Sequence, residues 1–226
     1  MALIRGNYQE LRPQIQPGDV IAFSGKSHFS NIIKWATRST VSHVGIVFET
    51  KVSFGGNAQQ GRIVEVMEAT GLRRNPETGK DVAGVQRHRM STKLMYYEGD
   101  VWWLPLSDES RSRFDFSTMT NFLMHSEGKE YDGAPQVISA AVDTLDGRFT
   151  GGLTKNEEDF SAFFCSELVS ATLEAAKVMK NVNSSEVTPI DLCRFKIFAD
   201  DYYQIKGSED KKIPNYNLMH PSGFGM

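Results

Sequence analysis

The apolar segments in the first half of this chain are short, whereas its one long amphipathic stripe comes late. Asp19 to Phe23, Ser42 to Phe48 and Arg62 to Ala69 are brief runs rich in β-branched residues, which predicts strands. Phe160 to Lys180 instead repeats its apolar residues at helical spacing, which predicts a helix. Because strands and helices do not alternate steadily, this order favours an α+β fold on an antiparallel sheet.

Weaker signals predict the remaining elements. Gly99 to Pro105 and Asp201 to Ile205 are further strand candidates, and Phe114 to His125 is typical of an amphipathic helix. Lys51 to Gln60 is expected to be a long hairpin loop, because it holds two adjacent glycines among polar residues. Asp143 to Asp159 is rich in Gly, Thr and acidic residues, and we expect a loop or an insertion there.

The length of 226 residues fits one domain better than two. We expect this domain to span residues 1–206. The remaining residues, 207–226, contain Pro214, Pro221 and three glycines, and are expected to form an irregular or frayed C-terminal tail.

Composition excludes several classes of protein. A net charge of −3 gives no electrostatic basis for nucleic-acid binding. No apolar run is long enough to predict a membrane-spanning segment, and the N-terminus does not resemble a signal peptide, so a cytoplasmic location is expected. Two cysteines cannot build a disulfide framework, and no His, Cys, Asp or Glu residues have metal-ligand spacing. We therefore expect neither a metal nor a cofactor.

Cys165 is the candidate nucleophile, because it falls near the start of the predicted helix Phe160 to Lys180. A helix N-terminus favours a thiolate over a thiol, and a neighbouring imidazole would complete its activation. The alternative is a thiol that only packs in the core, since free cysteines are among the most buried residues. Cys193 is expected to be of this packed kind.

His43 begins a predicted strand, and a carboxylate on the next strand could orient its ring. Gly45, two residues further on, leaves room on the same face of the strand for another element. Glu68 is the favoured carboxylate, and Glu65 is a competitor on the opposite face. The alternative for His43 is a structural histidine at a strand end.

Four blocks of this chain together resemble the NlpC/P60 superfamily of papain-like cysteine peptidases. They are Pro17–Phe23, Ser42–Val47, Met67–Ala69 and Phe164–Val169, and they follow the order of the circularly permuted, YiiX/YaeF-like branch, in which the histidine strand precedes the cysteine helix. The resemblance implies a papain-like α+β fold with permuted topology, in which an antiparallel sheet or barrel packs against helices that include the cysteine-bearing one.

The resemblance also implies roles for four residues. Cys165 matches the nucleophile, His43 the general base and Glu68 the third polar residue, while Tyr131 is similar to a tyrosine near the active-site sulfur. The backbone N–H of Cys165 is then a natural oxyanion donor, with Tyr131 as a possible second.

The implied activity is hydrolysis of an amide, or of an ester, through a thioacyl-enzyme. The implied substrates are peptides or lipid-linked amides and esters, and a related branch transfers acyl groups instead of hydrolysing them. Phe29, Ile32, Ile33 and Trp35 could form an apolar wall for an acyl chain, or could equally face the core. The rival classes are a non-catalytic binding module that keeps the fold, and a redox sensor that uses Cys165 without His43.

Overall fold

The computed structural model describes residues 1–25, 40–54, 60–74, 79, 81–129 and 161–226. Its strands are β1 (Ala2–Arg5), β2 (Val20–Gly25), β3 (His43–Phe54), β4 (Gln60–Arg74), β5 (Asp81–Arg89), β6 (Gly99–Leu104) and β7 (Asp201–Lys206). Its helices are α1 (Tyr8–Leu11), α2 (Met90–Tyr96), α3 (Asp108–Arg113), α4 (Phe116–Ser126), α5 (Ser161–Ala175) and α6 (Pro189–Arg194). Short 3-10 turns occur at Arg12–Gln14 and Ser184–Glu186.

The seven strands form one sheet in the order β1-β7-β6-β2-β3-β4-β5. All neighbouring pairs are antiparallel except the edge pair of β1 and β7, which is parallel. The predicted α+β class is therefore confirmed, with one parallel pair that the sequence did not predict. In the described part of the chain, the outermost strands β1 and β5 do not pair with each other, so the sheet is open and is not a closed barrel.

The hairpin of β3 and β4 is longer than predicted. Lys51 to Gln60 was expected to be a loop, but β3 continues to Phe54 and β4 begins at Gln60. This outer part needs no apolar run, because its backbone groups pair with each other across the ladder while Lys51 forms ion pairs with Glu49 and Glu65.

Two strands were missed for a related reason. β1 is an exposed edge strand, and the last four residues of β5 are polar or charged, so neither has an apolar run. The strands predicted around β6 and β7 and the helices predicted around α4 and α5 are confirmed with shifted ends. The largest shift is in α5, which ends at Ala175 and not at Lys180.

Apolar residues cover both faces of the sheet. Because side chains alternate along a strand, Val44 and Ile46 of β3 face one core, which includes Leu168 of α5. Val47 of β3 and Phe23 of β2 face a second core on the other side, which α2 helps to close. The sheet therefore lies between two layers of helix, and His43 lies where β3 begins.

The tail 207–226 contains no helix or named strand, in keeping with the irregular of the two expected alternatives, and it packs on the core. Ile213 and Tyr216 are buried in the core next to Tyr202 of β7. The backbone N–H of Ile213 donates to the Tyr202 hydroxyl at 2.9 Å, and the rings of Tyr202 and Tyr216 lie 4.3 Å apart. Apolar side chains hold this segment in place despite its prolines and glycines.

Candidate active site

His43 and Glu68 are brought together by the register of β3 and β4. Ile46 lies opposite Met67, which places Gly45 beside Glu68. A Cβ atom on Gly45 would lie 2.9 Å from Val66 Cγ1 and 3.2 Å from the Met67 carbonyl oxygen. Glycine at position 45 therefore permits the close approach that carries the Glu68 side chain to the His43 ring.

The His43 ring is held from two sides. Its Nε2 lies 2.8 Å from Glu68 Oε2, and its centroid lies 5.6 Å from that of Phe23, which is opposite His43 on β2. Only 16% of the His43 side chain is exposed. Since Nε2 contacts the carboxylate, Nδ1 is the ring nitrogen left for a nucleophile.

Cys165 reaches the same imidazole from the helical layer. It is the fifth residue of α5, which packs against β3 and β4, and it is fully buried. Its thiol hydrogen-bonds the side chain of His43. This contact distinguishes Cys165 from Cys193, which is equally buried and whose pKa is raised by burial.

The neighbours of His43 favour its charged form. Burial by itself lowers the pKa of His43, but the negative charges of Cys165 and Glu68, with the hydrogen bonds to both, together raise it to about 9. The ring is then an imidazolium at neutral pH, provided that it faces a thiolate and a carboxylate. The arrangement can support the thiolate–imidazolium pair that nucleophilic cysteines use.

Glu68 is a carboxylate at neutral pH. Burial acts to raise its pKa, but the positive charges of Lys93, His88 and His43 outweigh burial and hold the pKa well below its usual range. Its side chain is 3% exposed. The carboxylate of the competing Glu65 instead pairs with the Lys51 ammonium at 3.2 Å, so the geometry favours Glu68 as the partner of the imidazole.

Two residues near Glu68 were not predicted from the sequence to be part of the site. The Lys93 ammonium donates to Glu68 Oε1, and His88 Nε2 lies 3.7 Å from the same oxygen. His88 lies between Arg87 and Arg89 in the sequence, yet it is only 5% exposed. Recognising β5 as a strand would have revealed it, because alternation turns His88 inward between two outward arginines.

One predicted role does not agree with the structure. The Cys165 N–H was expected to be an unpaired oxyanion donor at a helix start. Helix α5 begins four residues earlier, at Ser161, so this N–H lies in position to bond the Ser161 carbonyl within the helix. The influence of the helix dipole is weaker there as well, since it falls off within the first turn.

Several other predicted residues lie outside the described part of the chain. Tyr131 is one of them, as are the four residues proposed for an apolar wall and the whole of 143–159. The described residues thus bring together Cys165, His43 and Glu68, three of the four candidates.

This chain is similar to a solved structure but matches no family model and no curated protein. Among solved structures it is similar to the metalloprotein YiiX from Escherichia coli O157:H7, with 19% sequence identity and a TM-score of 0.42. The similarity covers 75% of this chain and 71% of that one. A likeness of this size assigns neither a fold family nor an activity.

The described residues provide neither a membrane-spanning helix nor a cluster suited to a metal. None of their helices combines the length and the apolar character needed to cross a membrane. Nor do they contain a group of three or more His, Cys, Asp and Glu side chains that could hold an ion.

Proposed function

We propose that the protein is a papain-like cysteine hydrolase of the permuted NlpC/P60 type, which cleaves an amide or an ester through a thioacyl-enzyme. The observation that carries this proposal is the contact of a buried thiol, Cys165, with an imidazole that a buried carboxylate holds at 2.8 Å from its other side. A nucleophile, a base and a group that orients the base are the parts that such chemistry requires.

In the proposed first step, the Cys165 thiolate attacks the substrate carbonyl and a carbon–sulfur bond forms. His43 then gives its Nδ1 proton to the leaving nitrogen or oxygen, the bond to the leaving group breaks, and a thioester remains on Cys165. Water attacks this thioester while His43 accepts its proton. The carbon–sulfur bond breaks, the acid leaves, and the thiolate–imidazolium pair is restored.

Glu68 has two tasks in this scheme. Its Oε2 accepts from Nε2, which fixes the orientation of the ring and directs Nδ1 toward sulfur. Its charge stabilises the imidazolium during both steps. The oxyanion donors have to come from groups other than the Cys165 amide, and Tyr131 remains the proposed candidate.

Peptide and lipid-linked amides or esters remain the proposed substrate classes, because the same acyl-enzyme serves them all. Transfer of the acyl group to an acceptor other than water would use the same first step.

Trapping the acyl-enzyme tests the proposal. Brief exposure to 4-nitrophenyl acetate should add one acetyl group to the protein, and peptide mapping by mass spectrometry should place it on Cys165. A Cys193→Ser variant should be labelled like the wild type, whereas a Cys165→Ser variant should not show this rapid labelling. Acetylation found on Cys193 or on surface lysines, with Cys165 unmodified, would refute the proposed nucleophile.

A further inference from the structure

Glu68 is shared between two positively charged partners that come from different elements. The ring of His43, in β3, contacts Oε2, and the ammonium of Lys93, in α2, donates to Oε1. With 3% of the Glu68 side chain exposed, water does little to screen its charge, so both partners act on it strongly.

The Lys93 ammonium is itself held in place. It lies 5.4 Å from the centre of the Phe23 ring and 5.9 Å from that of Tyr97, at cation–π distance from both. Phe23 also contacts the His43 ring. The ammonium, the carboxylate and the imidazole are therefore fixed around one aromatic side chain, and Lys93 is only 18% exposed.

In the proposed acyl-enzyme Cys165 carries no charge, and Glu68 is then the negative group that favours the imidazolium of His43. Unopposed, this buried carboxylate would hold the ring as an imidazolium through the second half of the reaction. Such a ring could donate a proton but could not readily take one back from water, as the second half of the reaction requires. A second cation on the carboxylate weakens this hold, because it repels the imidazolium while it keeps Glu68 ionised.

We propose that Lys93 is a positioning residue of this site, which holds one oxygen of Glu68 and opposes its charge, so that the carboxylate orients the His43 ring without locking it as an imidazolium. The proposal rests on the proposed function for its catalytic meaning. The charged and titratable groups that face Glu68 or its imidazole partner are His43 from β3, His88 from β5, Lys93 from α2 and, through His43, Cys165 from α5.

The test measures the protonation of His43 directly by NMR, from the pH dependence of its ring ¹³Cε1 shift. The full-length chain is used, and a His43→Gln variant identifies the signal. Lys93→Gln keeps a donor for Glu68 but removes the charge, while Lys93→Arg keeps the charge. The matched control is Lys51→Gln, which removes a cation from Glu65 on the same strand as Glu68.

In the wild type the midpoint of the His43 titration is expected near pH 9. Lys93→Gln should move it upward by about one pH unit, since a unit charge removed at several ångströms in a partly buried site has an effect of that order. Lys93→Arg and Lys51→Gln should leave the midpoint in place.

An unmoved midpoint in a folded Lys93→Gln variant would show that Lys93 has only a structural role, and a downward shift would show that it acts by holding Glu68 close. Either result overturns the proposal. If Lys93→Gln does not fold, a Lys93→Met variant, which also removes the charge, gives the same comparison. Because no substrate enters this measurement, its result does not depend on whether the protein hydrolyses anything.

Discussion

Replacing Cys165 with alanine is expected to lower kcat/KM for hydrolysis of 4-nitrophenyl butyrate by about a thousandfold or more, because no other group in the proposed mechanism can form the acyl-enzyme. The variant should remain folded, since a thiol and a methyl group are both small and apolar at this buried position. The measurement is steady-state release of nitrophenolate, with circular dichroism as the check on folding.

Cys193→Ala is the matched control for this loss. Cys193 is buried like Cys165, so a similar cavity is made, but the control should keep close to wild-type turnover. Equal loss in both variants would mean that packing and not nucleophilic chemistry is being measured. Undiminished hydrolysis by Cys165→Ala would contradict the role of Cys165 as the nucleophile.

The second large effect is expected on stability, at Asp19→Ala. Asp19 is 1% exposed, and its two carboxylate oxygens accept from four donors. These are the backbone N–H of Gln16 at 2.8 Å, the Trp103 indole at 2.9 Å, the backbone N–H of Leu106 at 3.0 Å, and the Arg111 guanidinium. The carboxylate thus ties β2 to β6 and to α3.

Removing this carboxylate leaves buried donors and one cation without their acceptor, which should cost about 3–5 kcal/mol of unfolding free energy. Urea unfolding followed by tryptophan fluorescence measures it. Glu109→Ala, which breaks the exposed pair with Arg113, serves as the control and should unfold close to wild type. A similarly small change for Asp19→Ala would show that these contacts contribute little.

The sequence predicted most of the sheet because the apolar strands β2, β3, β4 and β6 bury side chains on a core. It did not predict β5, in which Gln86, Arg87, His88 and Arg89 give no apolar pattern. The inward turn of His88 depends on pairing with β4, which local composition does not specify.

The same limit applies to the site. His43 and Glu68 could be paired from the sequence because their strands are neighbours and Gly45 allows a close approach. Lys93 could not be placed at the site from the sequence, because its helix, α2, follows β5, a strand that the apolar pattern did not predict. The start of α5 was predicted to within one residue, and the expectation for the Cys165 N–H failed for another reason: the amide of the fifth residue of a helix already has a carbonyl partner one turn back.

Cys165 and His43 are proposed to form a reactive pair. The rate of alkylation by iodoacetamide, measured for each cysteine by mass spectrometry as a function of pH, tests this most directly in wild type and in His43→Ala. Because both thiols are buried, the shape of the profile matters more than the absolute rate. Cys193 is the internal reference in every sample.

For the wild type we predict that Cys165 already reacts readily at neutral pH, and that His43→Ala removes this reactivity and leaves only the reaction of an ordinary thiol at alkaline pH. Cys193 should be unaffected by the substitution. A Cys165 profile that is the same with and without His43 would contradict the pair, and with it the account of this protein as a cysteine hydrolase.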